Sequence, residues 1–279
     1  MSLFRCPSCR QPVMERGERL VCTADRAHVV EVEDGVLVFA RPDIGKYVPG
    51  YADRYAALWA YGYATLHIGL DESLYRTVSS LVAEVLPGAG PRPVIVDAGC
   101  GVGRVTGDCA RLAPHATIIS FDASPPMLAF ARRVVHGREP VEVELPSFGF
   151  ERLTIPSYGL SGPIFARADV EDLPLLDASA DIVLSINIVD RLPHGPDVAL
   201  RECHRILRPG GALIFTDPFN WTDPELWRRY PDAAAVLRAI EQAGFTIDTW
   251  FDQLLYREIL DARGSIDEFR TLVVRGRKG

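Results

Sequence analysis

The stretch that most constrains this chain is VIVDAGCGVGR, Val94 to Arg104. Three apolar β-formers, Val94, Ile95 and Val96, run into Asp97, and glycine then falls at Gly99, Gly101 and Gly103. A short apolar run ending in clustered glycines predicts a buried parallel strand, a tight turn and a helix that starts near Arg104. Glycine is needed where the backbone turns with positive φ, or where a ligand lies against main chain with no Cβ in the way. The helix N-terminus behind such a turn offers free N–H groups and partial positive charge, which suits a nucleotide-like ligand. The dinucleotide fingerprint Gly-x-Gly-x-x-Gly is not met, because Arg104 stands three residues past Gly101. The spacing is Asp-x-Gly-x-Gly-x-Gly.

The chain around this turn alternates strand and helix signals. Leu74, Val78, Leu81, Val82 and Val85 share a helix face, with Asp71 placed to cap that helix and Pro87-Gly88 to end it. Thr117 to Phe121 reads as a second strand ending in Asp122, a carboxylate about 20 residues past the glycines and so placed for ribose hydroxyls. Ser124 caps the next helix, with Pro125 at its first position. Ile164 to Ala168 is a third strand, and Asp181 to Ile188 a fourth, apolar enough to be buried on both faces. Its C-terminal end carries Ser185, Asn187 and Asp190, where open sheets bind ligands, so the reacting group is expected beside Asn187. A helix from Pro196 to Leu207 leads through Pro-Gly-Gly into a fifth strand ending at Asp217, and a further helix spans Ala233 to Ala243. Phe245 to Phe251 and Thr271 to Arg275 close the sheet.

In this order the motifs DAGCGVG, FDASPPMLAFARR, DVEDLP and VALRECHRILRPGGALIFTDP resemble those of class I S-adenosylmethionine-dependent methyltransferases. The resemblance implies an α/β fold: a Rossmann-like seven-stranded sheet with helices on both faces and an antiparallel pair at its end. It implies S-adenosylmethionine as cofactor and methyl transfer as the reaction. Carried over by motif, Asp97, Gly99, Cys100, Gly101 and Gly103 form the cofactor turn, and Asp122 with Ala123 meets the ribose. Asp169 accepts from the adenine amino group while the Val170 N–H meets the ring. Cys100 is expected to be small there rather than nucleophilic.

Residues 1–40 read as a separate small β module. Cys6-Pro-Ser-Cys9 is a knuckle, followed by Cys22, Asp25 and His28. PVMERGERLVC reads as two short strands and HVVEVEDGVLVFA as a hairpin around Asp34-Gly35. Knuckles on short hairpins suggest a zinc ribbon with ligands Cys6, Cys9, Cys22 and His28; Asp25 stands where a second C-x2-C would put cysteine. The segment resembles the N-terminal zinc finger of bacterial rRNA guanine methyltransferases in its CPxC start and following Cys and His. It is also similar, at Asp34-Gly35-Val36, to small zinc-ribbon proteins that partner methyltransferases.

Residues 41–70 divide into a linker and an aromatic stretch, and 71–279 form the methyltransferase domain. Tyr51, Tyr55 and Trp59 recur at helical spacing with His67 beyond, which fits either a packed helix or a lid whose aromatic wall can hold a cation. The connection 137–163 is longer than a plain helix-to-strand loop and reads as two extended runs; a pocket-shaping hairpin, a homodimer surface and decoration are all open uses for it. Phe219 and Trp221 are expected beside the substrate. Candidates for a catalytic base are His194, Asp190 and Asp217.

The net charge is −7, and residues 1–46 carry seven Lys plus Arg against seven Asp plus Glu, which disfavours a nucleic-acid partner. No apolar run is long enough for a membrane, and the opening MSLFRCPSCR lacks a signal-peptide core, so a cytoplasmic protein is expected. There the six cysteines are thiols or metal ligands. The function expected is methylation of a small molecule at O, N or C. RNA methylation with the ribbon gripping RNA, and a non-catalytic cofactor- or partner-binding module, are the alternatives.

Overall fold

The computed structural model describes residues 3–17, 19–42 and 74–279. The aromatic stretch with Tyr51, Tyr55, Trp59 and His67, and the capping Asp71, lie outside the described residues. Two hairpins come first. β1 (Val13–Arg16) pairs antiparallel with β2 (Arg19–Cys22), and β3 (Glu31–Glu33) pairs with β4 (Val36–Val38). Asp34 and Gly35, both at positive φ, make the tight turn between the latter two.

The chain then alternates: α1 (Leu74–Val85), β5 (Val94–Ala98), α2 (Arg104–Leu112), β6 (Thr117–Asp122) and α3 (Pro125–His136). A hairpin of β7 (Val141–Leu145) and β8 (Phe150–Ile155) precedes β9 (Ile164–Arg167) and β10 (Ala180–Ile186). Last come α4 (Pro196–Ile206), β11 (Leu207–Asp217), α5 (Pro224–Arg229), α6 (Ala233–Gln242), β12 (Phe245–Ile259) and β13 (Ile266–Lys278).

One sheet runs β12-β13-β11-β10-β5-β6-β9-β4-β3. Its first seven strands are the Rossmann-like methyltransferase sheet, parallel except at β13, which pairs antiparallel with both β11 and β12. All five residues of β5 are buried. Ile95 faces a layer made by α1 and α2, including Tyr75, Val78, Val82 and Val105. Val94, Val96 and Ala98 face α4 and α6 and the N-terminal residues Phe4, Cys6 and Phe39. A strand covered on both sides has no solvent-facing side, which explains why its sequence is apolar up to Asp97. Strand order reverses between β5 and β10, opening a crevice at their carboxyl ends.

Two features depart from the sequence reading. The β3–β4 hairpin enters the central sheet: Leu37 and Val38 pair parallel with Ala166 and Arg167 of β9. The closing pair is also longer than 245–251 and 271–275. β13 leaves β11 at the Asp217–Leu272 pair, while β12 and β13 stay paired out to Ile259 and Ile266. This hairpin therefore overhangs the carboxyl edge of the sheet. A register shift between Phe251 and Leu254, with Gln253 at φ 65°, breaks the alternation that would have marked its length. At its tip the Ala262 N–H donates to the Phe148 carbonyl at 2.8 Å, joining it to the turn of the β7–β8 hairpin. That hairpin is built from 137–163 and packs Val141 and Ile155 against Met127, Phe130 and Val134 of α3. Among the described residues no helix is long and apolar enough to cross a membrane.

Leu175 is fully buried in the core that joins the N-terminal residues to the sheet, and it forms a bridge with Phe4. Leu175→Ala is expected to cost about 2–5 kcal/mol. Urea unfolding should show this as a lower midpoint with an unchanged slope.

Candidate active site and metal centre

The turn after β5 is shaped by its glycines. A Cβ on Gly99 (φ 86°) would lie 2.3 Å from Cγ2 of Ile188, so packing and backbone both demand glycine there. A Cβ on Gly101 (φ 51°) would meet nothing within 4 Å. Gly101 thus presents bare main chain to open space, the surface a ligand needs for close approach. Gly103 caps α2 in a left-handed conformation. The turn is held by Gly99 and Cys100 N–H groups donating to the Phe121 carbonyl, each at 2.8 Å.

Asp122 ends β6 against this turn. Its Oδ2 accepts from the Gly101 N–H at 2.8 Å and its Oδ1 from the Ser124 N–H at 2.9 Å. Burial raises its pKa above the usual carboxylate value. The carbonyl of the next residue, Ala123, accepts from Arg167 Nε at 3.2 Å. Beneath the turn Asp97 is buried, and its Oδ2 accepts from Thr106 Oγ1 at 2.6 Å. Burial, with the nearby Asp122 charge adding, pushes Asp97 up to about 7. Burial also drives the Cys100 thiol well above its normal range, away from thiolate chemistry.

On the neighbouring strand end, Asp169 is half-buried and Val170 buried. The Glu171 N–H donates to Asp169 Oδ1 at 3.0 Å, and the Ala168 N–H to the Asp122 carbonyl at 3.2 Å. The acids at the ends of β6 and β9 are thereby brought together beside the glycine turn. His194 lies apart from this group: it is exposed, with Nδ1 3.0 Å from Glu171 Oε1.

A second polar group collects where β10 and β11 end. Asn187 sits at φ 52°; its N–H donates to Thr216 Oγ1 at 2.9 Å, and that hydroxyl donates to Asn187 Oδ1 at 2.6 Å. Asp190 and Asp217 are 2% and 0% exposed. Asp190 Oδ2 lies 3.2 Å from Arg191 Nε, and Asp217 Oδ1 accepts from the Phe219 N–H at 2.7 Å. Asp190 Oδ1, Asp217 Oδ2, Asn187 Nδ2, Ser185 Oγ and Thr271 Oγ1 are buried with no hydrogen-bond partner among the described residues. Burial lifts Asp190 to about 7 against the pull of Arg191, with Glu258 adding to the rise. Burial first, then the Asp190 charge, raise Asp217 well above the usual carboxylate value. Two coupled carboxyls in so dry a place resist ionising together.

Thr216, Thr271 and Glu258 went unnoticed in the sequence. Thr271 and Glu258 reach this end of the sheet only through the β12–β13 overhang. Phe219 is half-buried beside Asp217. Trp221 is buried in the main core, its ring 5.5 Å from that of Tyr230.

The N-terminal cysteines also converge. The ligand atoms of Cys6, Cys9, Cys22 and His28 all lie within 4.8 Å of one another. Cys9 Sγ is 3.4 Å from Cys22 Sγ, and Cys6 Sγ is 3.7 Å from His28 Nδ1. Tetrahedral zinc with bonds of about 2.3 Å to sulfur sets its ligands roughly this far apart. Asp25 lies behind the histidine rather than among the ligand atoms: its Oδ2 is 3.6 Å from His28 Nε2, which turns Nδ1 toward the sulfurs. Backbone N–H groups of Asp25 and Ala24 help bring the Cys22 thiol down to about 7.

The two glycines are expected to respond differently to alanine. Gly99→Ala should lower the melting temperature by several degrees, at a cost of about 2 kcal/mol or more from the collision with Ile188. Gly101→Ala, strained by its positive φ but free of collisions, should lose only about 1 kcal/mol and weaken S-adenosylhomocysteine binding at least about tenfold, measured by calorimetry.

Residues 96–215 match the family described as a methyltransferase domain. The chain is 29% identical over 219 residues to a malonyl-[acyl-carrier protein] O-methyltransferase of Methylococcus capsulatus, covering 74% of this chain and 71% of that protein. It is 31% identical over 222 residues to a trans-aconitate 2-methyltransferase of Methylobacterium nodulans, covering 77% and 74%. The solved structure of the [4+2]-cyclase SpnF superposes with a TM-score of 0.55 at 19% identity, over 82% of this chain and 93% of that one, a likeness of fold alone. Sequence relatedness across most of a curated methyltransferase thus accompanies the glycine turn and strand order described above, and the chain belongs to the class I S-adenosylmethionine-dependent methyltransferases.

Proposed function

We propose that this enzyme methylates a small molecule whose accepting atom carries a removable proton, an amine or a hydroxyl. The observation that carries the reading is the buried Asp190–Asp217 pair with an unpartnered oxygen on each carboxyl. An acceptor that arrives as a carboxylate needs no base; one that must shed a proton gains from a buried carboxyl able to take it. In this respect the reading departs from malonyl-[acyl-carrier protein] and trans-aconitate, the carboxyl-bearing compounds named for the two relatives above. The charge balance of the N-terminal module, seven basic against seven acidic residues in 1–46, supports a small molecule over RNA.

The residues fit the cofactor that the family uses. Gly101 offers open main chain, Asp122 a carboxylate for ribose hydroxyls, Asp169 and the Val170 N–H the contacts for adenine, and Asn187 Nδ2 an unpaired donor near the reacting end. When bound, S-adenosylmethionine supplies a sulfonium whose methyl group is already activated for in-line displacement. The protein must align the acceptor, exclude water and take its proton. Asp190 is the proposed base, and Asp217 stays protonated nearby, so that only one of the two carries charge; exposed His194, paired with Glu171, is less well placed. Phe219 and the aromatic residues Tyr51, Tyr55, Trp59 and His67 are proposed for the pocket wall. Incubation with methyl-labelled S-adenosylmethionine and a panel of amines, phenols and carboxylic acids tests the reading. Label should move to an amine or phenol, and label found only in carboxylic acids or in RNA would sink it.

The pH dependence follows from Asp190. Its folded pKa of about 7 lies above the unfolded value of roughly 3.9, so the folded state holds the proton more tightly. The stability it contributes is fully present below the unfolded pKa and is lost as pH rises from about 4 to about 7. Asp190→Asn should therefore raise the melting temperature more at pH 8 than at pH 4.5 while methyl transfer falls by about 100-fold. In the parent, kcat/KM should climb through a pH near 7.

We also propose a structural zinc on Cys6, Cys9, Cys22 and His28. Metal analysis should find one zinc per chain, lost in Cys9→Ser; a metal-free parent purified without chelator removes the site.

A further inference from the structure

The N-terminal module touches the catalytic domain at one loop above all. Residues 168–176 run from the end of β9 past Asp169 and Val170 to Leu176, and module residues grip both ends. At the entry, β4 pairs with β9, and the Phe39 and Ala40 N–H groups donate to the Arg167 carbonyl at 3.0 and 3.3 Å. At the exit, the Arg5 N–H donates to the Pro174 carbonyl at 3.0 Å and the Leu176 N–H to the Leu3 carbonyl at 2.9 Å. In the middle, Asp172 takes Arg10 in a two-pronged pair, Nη1 to Oδ1 at 2.5 Å and Nη2 to Oδ2 at 2.6 Å, and Arg5 Nη2 at 2.6 Å. Leu173 and Leu175 are fully buried in one cluster with Phe4, Cys6, Val13, Cys22 and Phe39.

The two arginines bracket the Cys6–Cys9 knuckle in sequence. Arg10 stands at φ 64°, and its N–H donates to the Cys6 carbonyl at 2.9 Å, so the knuckle itself fixes where Arg10 points. A two-pronged arginine–carboxylate pair restrains direction as well as distance. The Asp172 N–H in turn donates to the Asp169 carbonyl at 3.0 Å. A continuous set of contacts therefore runs from the knuckle through Arg10 and Asp172 to the backbone of Asp169.

We propose that the N-terminal module is a positioning element for the cofactor: through Arg5, Arg10 and Asp172 it sets the loop that carries Asp169 and Val170, and so tightens binding at the adenine end. This rests on the reading that Asp169 and Val170 meet adenine. Arg5, Arg10 and Asp172 act through the loop rather than on the ligand. Coupling of this kind between distinct parts of a protein amounts to about 5- to 150-fold in affinity.

The test is calorimetric titration of S-adenosylhomocysteine into the full chain and into Arg10→Met, Asp172→Asn and their double variant. Binding should weaken about tenfold in Arg10→Met and at least as much in Asp172→Asn, which also releases Arg5; the double should bind little worse than Asp172→Asn, because the Arg10 interaction is already lost there. Arg10→Lys should restore part of the loss. Melting temperatures should stay within about 3 °C of the parent, since exposed ion pairs add little to stability. An S-adenosylhomocysteine analogue without the 6-amino group, which keeps only the Val170 contact, should show a smaller gap between parent and variants, whereas a general loosening of the fold would leave the gap unchanged. Asp169→Ala separates the two readings. If it weakens binding while the Arg10 and Asp172 variants do not, the clamp is refuted and the adenine contact survives. If Asp169→Ala binds as the parent does, the adenine reading falls and the proposal with it.

Discussion

The constraint on which this structure turns is the burial of β5 and β10 between two layers of side chains. Every residue of both strands is buried, so neither can slide or tilt without exposing apolar surface or cutting into a packed neighbour. Their carboxyl ends, and the crevice that strand-order reversal opens there, are consequently fixed by the core and need no ligand to define them. The glycine turn, the acids of β6 and β9 and the carboxyl pair beyond β10 are all placed from these two strands. The chemistry is borne by loops, while its precision comes from strands that take no part in it.

Rigid placement lets polar groups stay buried without partners. An unpaired buried hydroxyl or carboxyl costs roughly 1–3 kcal/mol. Ser185, Asp190, Asp217 and Thr271 each hold such an atom at one end of one sheet. These groups stand apart at the strand ends rather than collapsed onto one another. The hydrophobic layers on either side provide the stability that offsets them.

How much of this was legible depended on whether the information was local. The turn from Gly99 to Gly103, the Ser124 cap with Pro125 behind it, and the Asp34-Gly35 hairpin all depend on backbone conformations that only certain residues tolerate, and each stands where the sequence indicates. The β5 and β10 runs were equally plain because burial on both faces makes Val94–Val96 and Ile182–Leu184 unbroken apolar runs. The pairing of β4 with β9 was not legible: a three-residue strand carries too little pattern to name its partner. The overhang of β12 and β13 was hidden by the bulge at Gln253, and with it the arrival of Thr271 and Glu258 at the site. Spacing left Asp25 and His28 competing for one ligand position, and only the fold shows the carboxylate behind the imidazole.

The pairing of β4 with β9 has a consequence beyond the cofactor. Without it β9 would be the edge of the sheet, offering the backbone groups of Ala166 and Arg167 to any passing strand. The hairpin moves that edge outward to β3, which is only three residues long and fully exposed. There Glu31 and Glu33 flank Val32, and Arg41 bonds both acids at 2.5 and 2.6 Å. A short charged edge is a poor template for strand addition. The first forty residues thus keep the sheet from growing between molecules, and a chain cut back to the catalytic domain would gain a self-associating border along with the loss of its module.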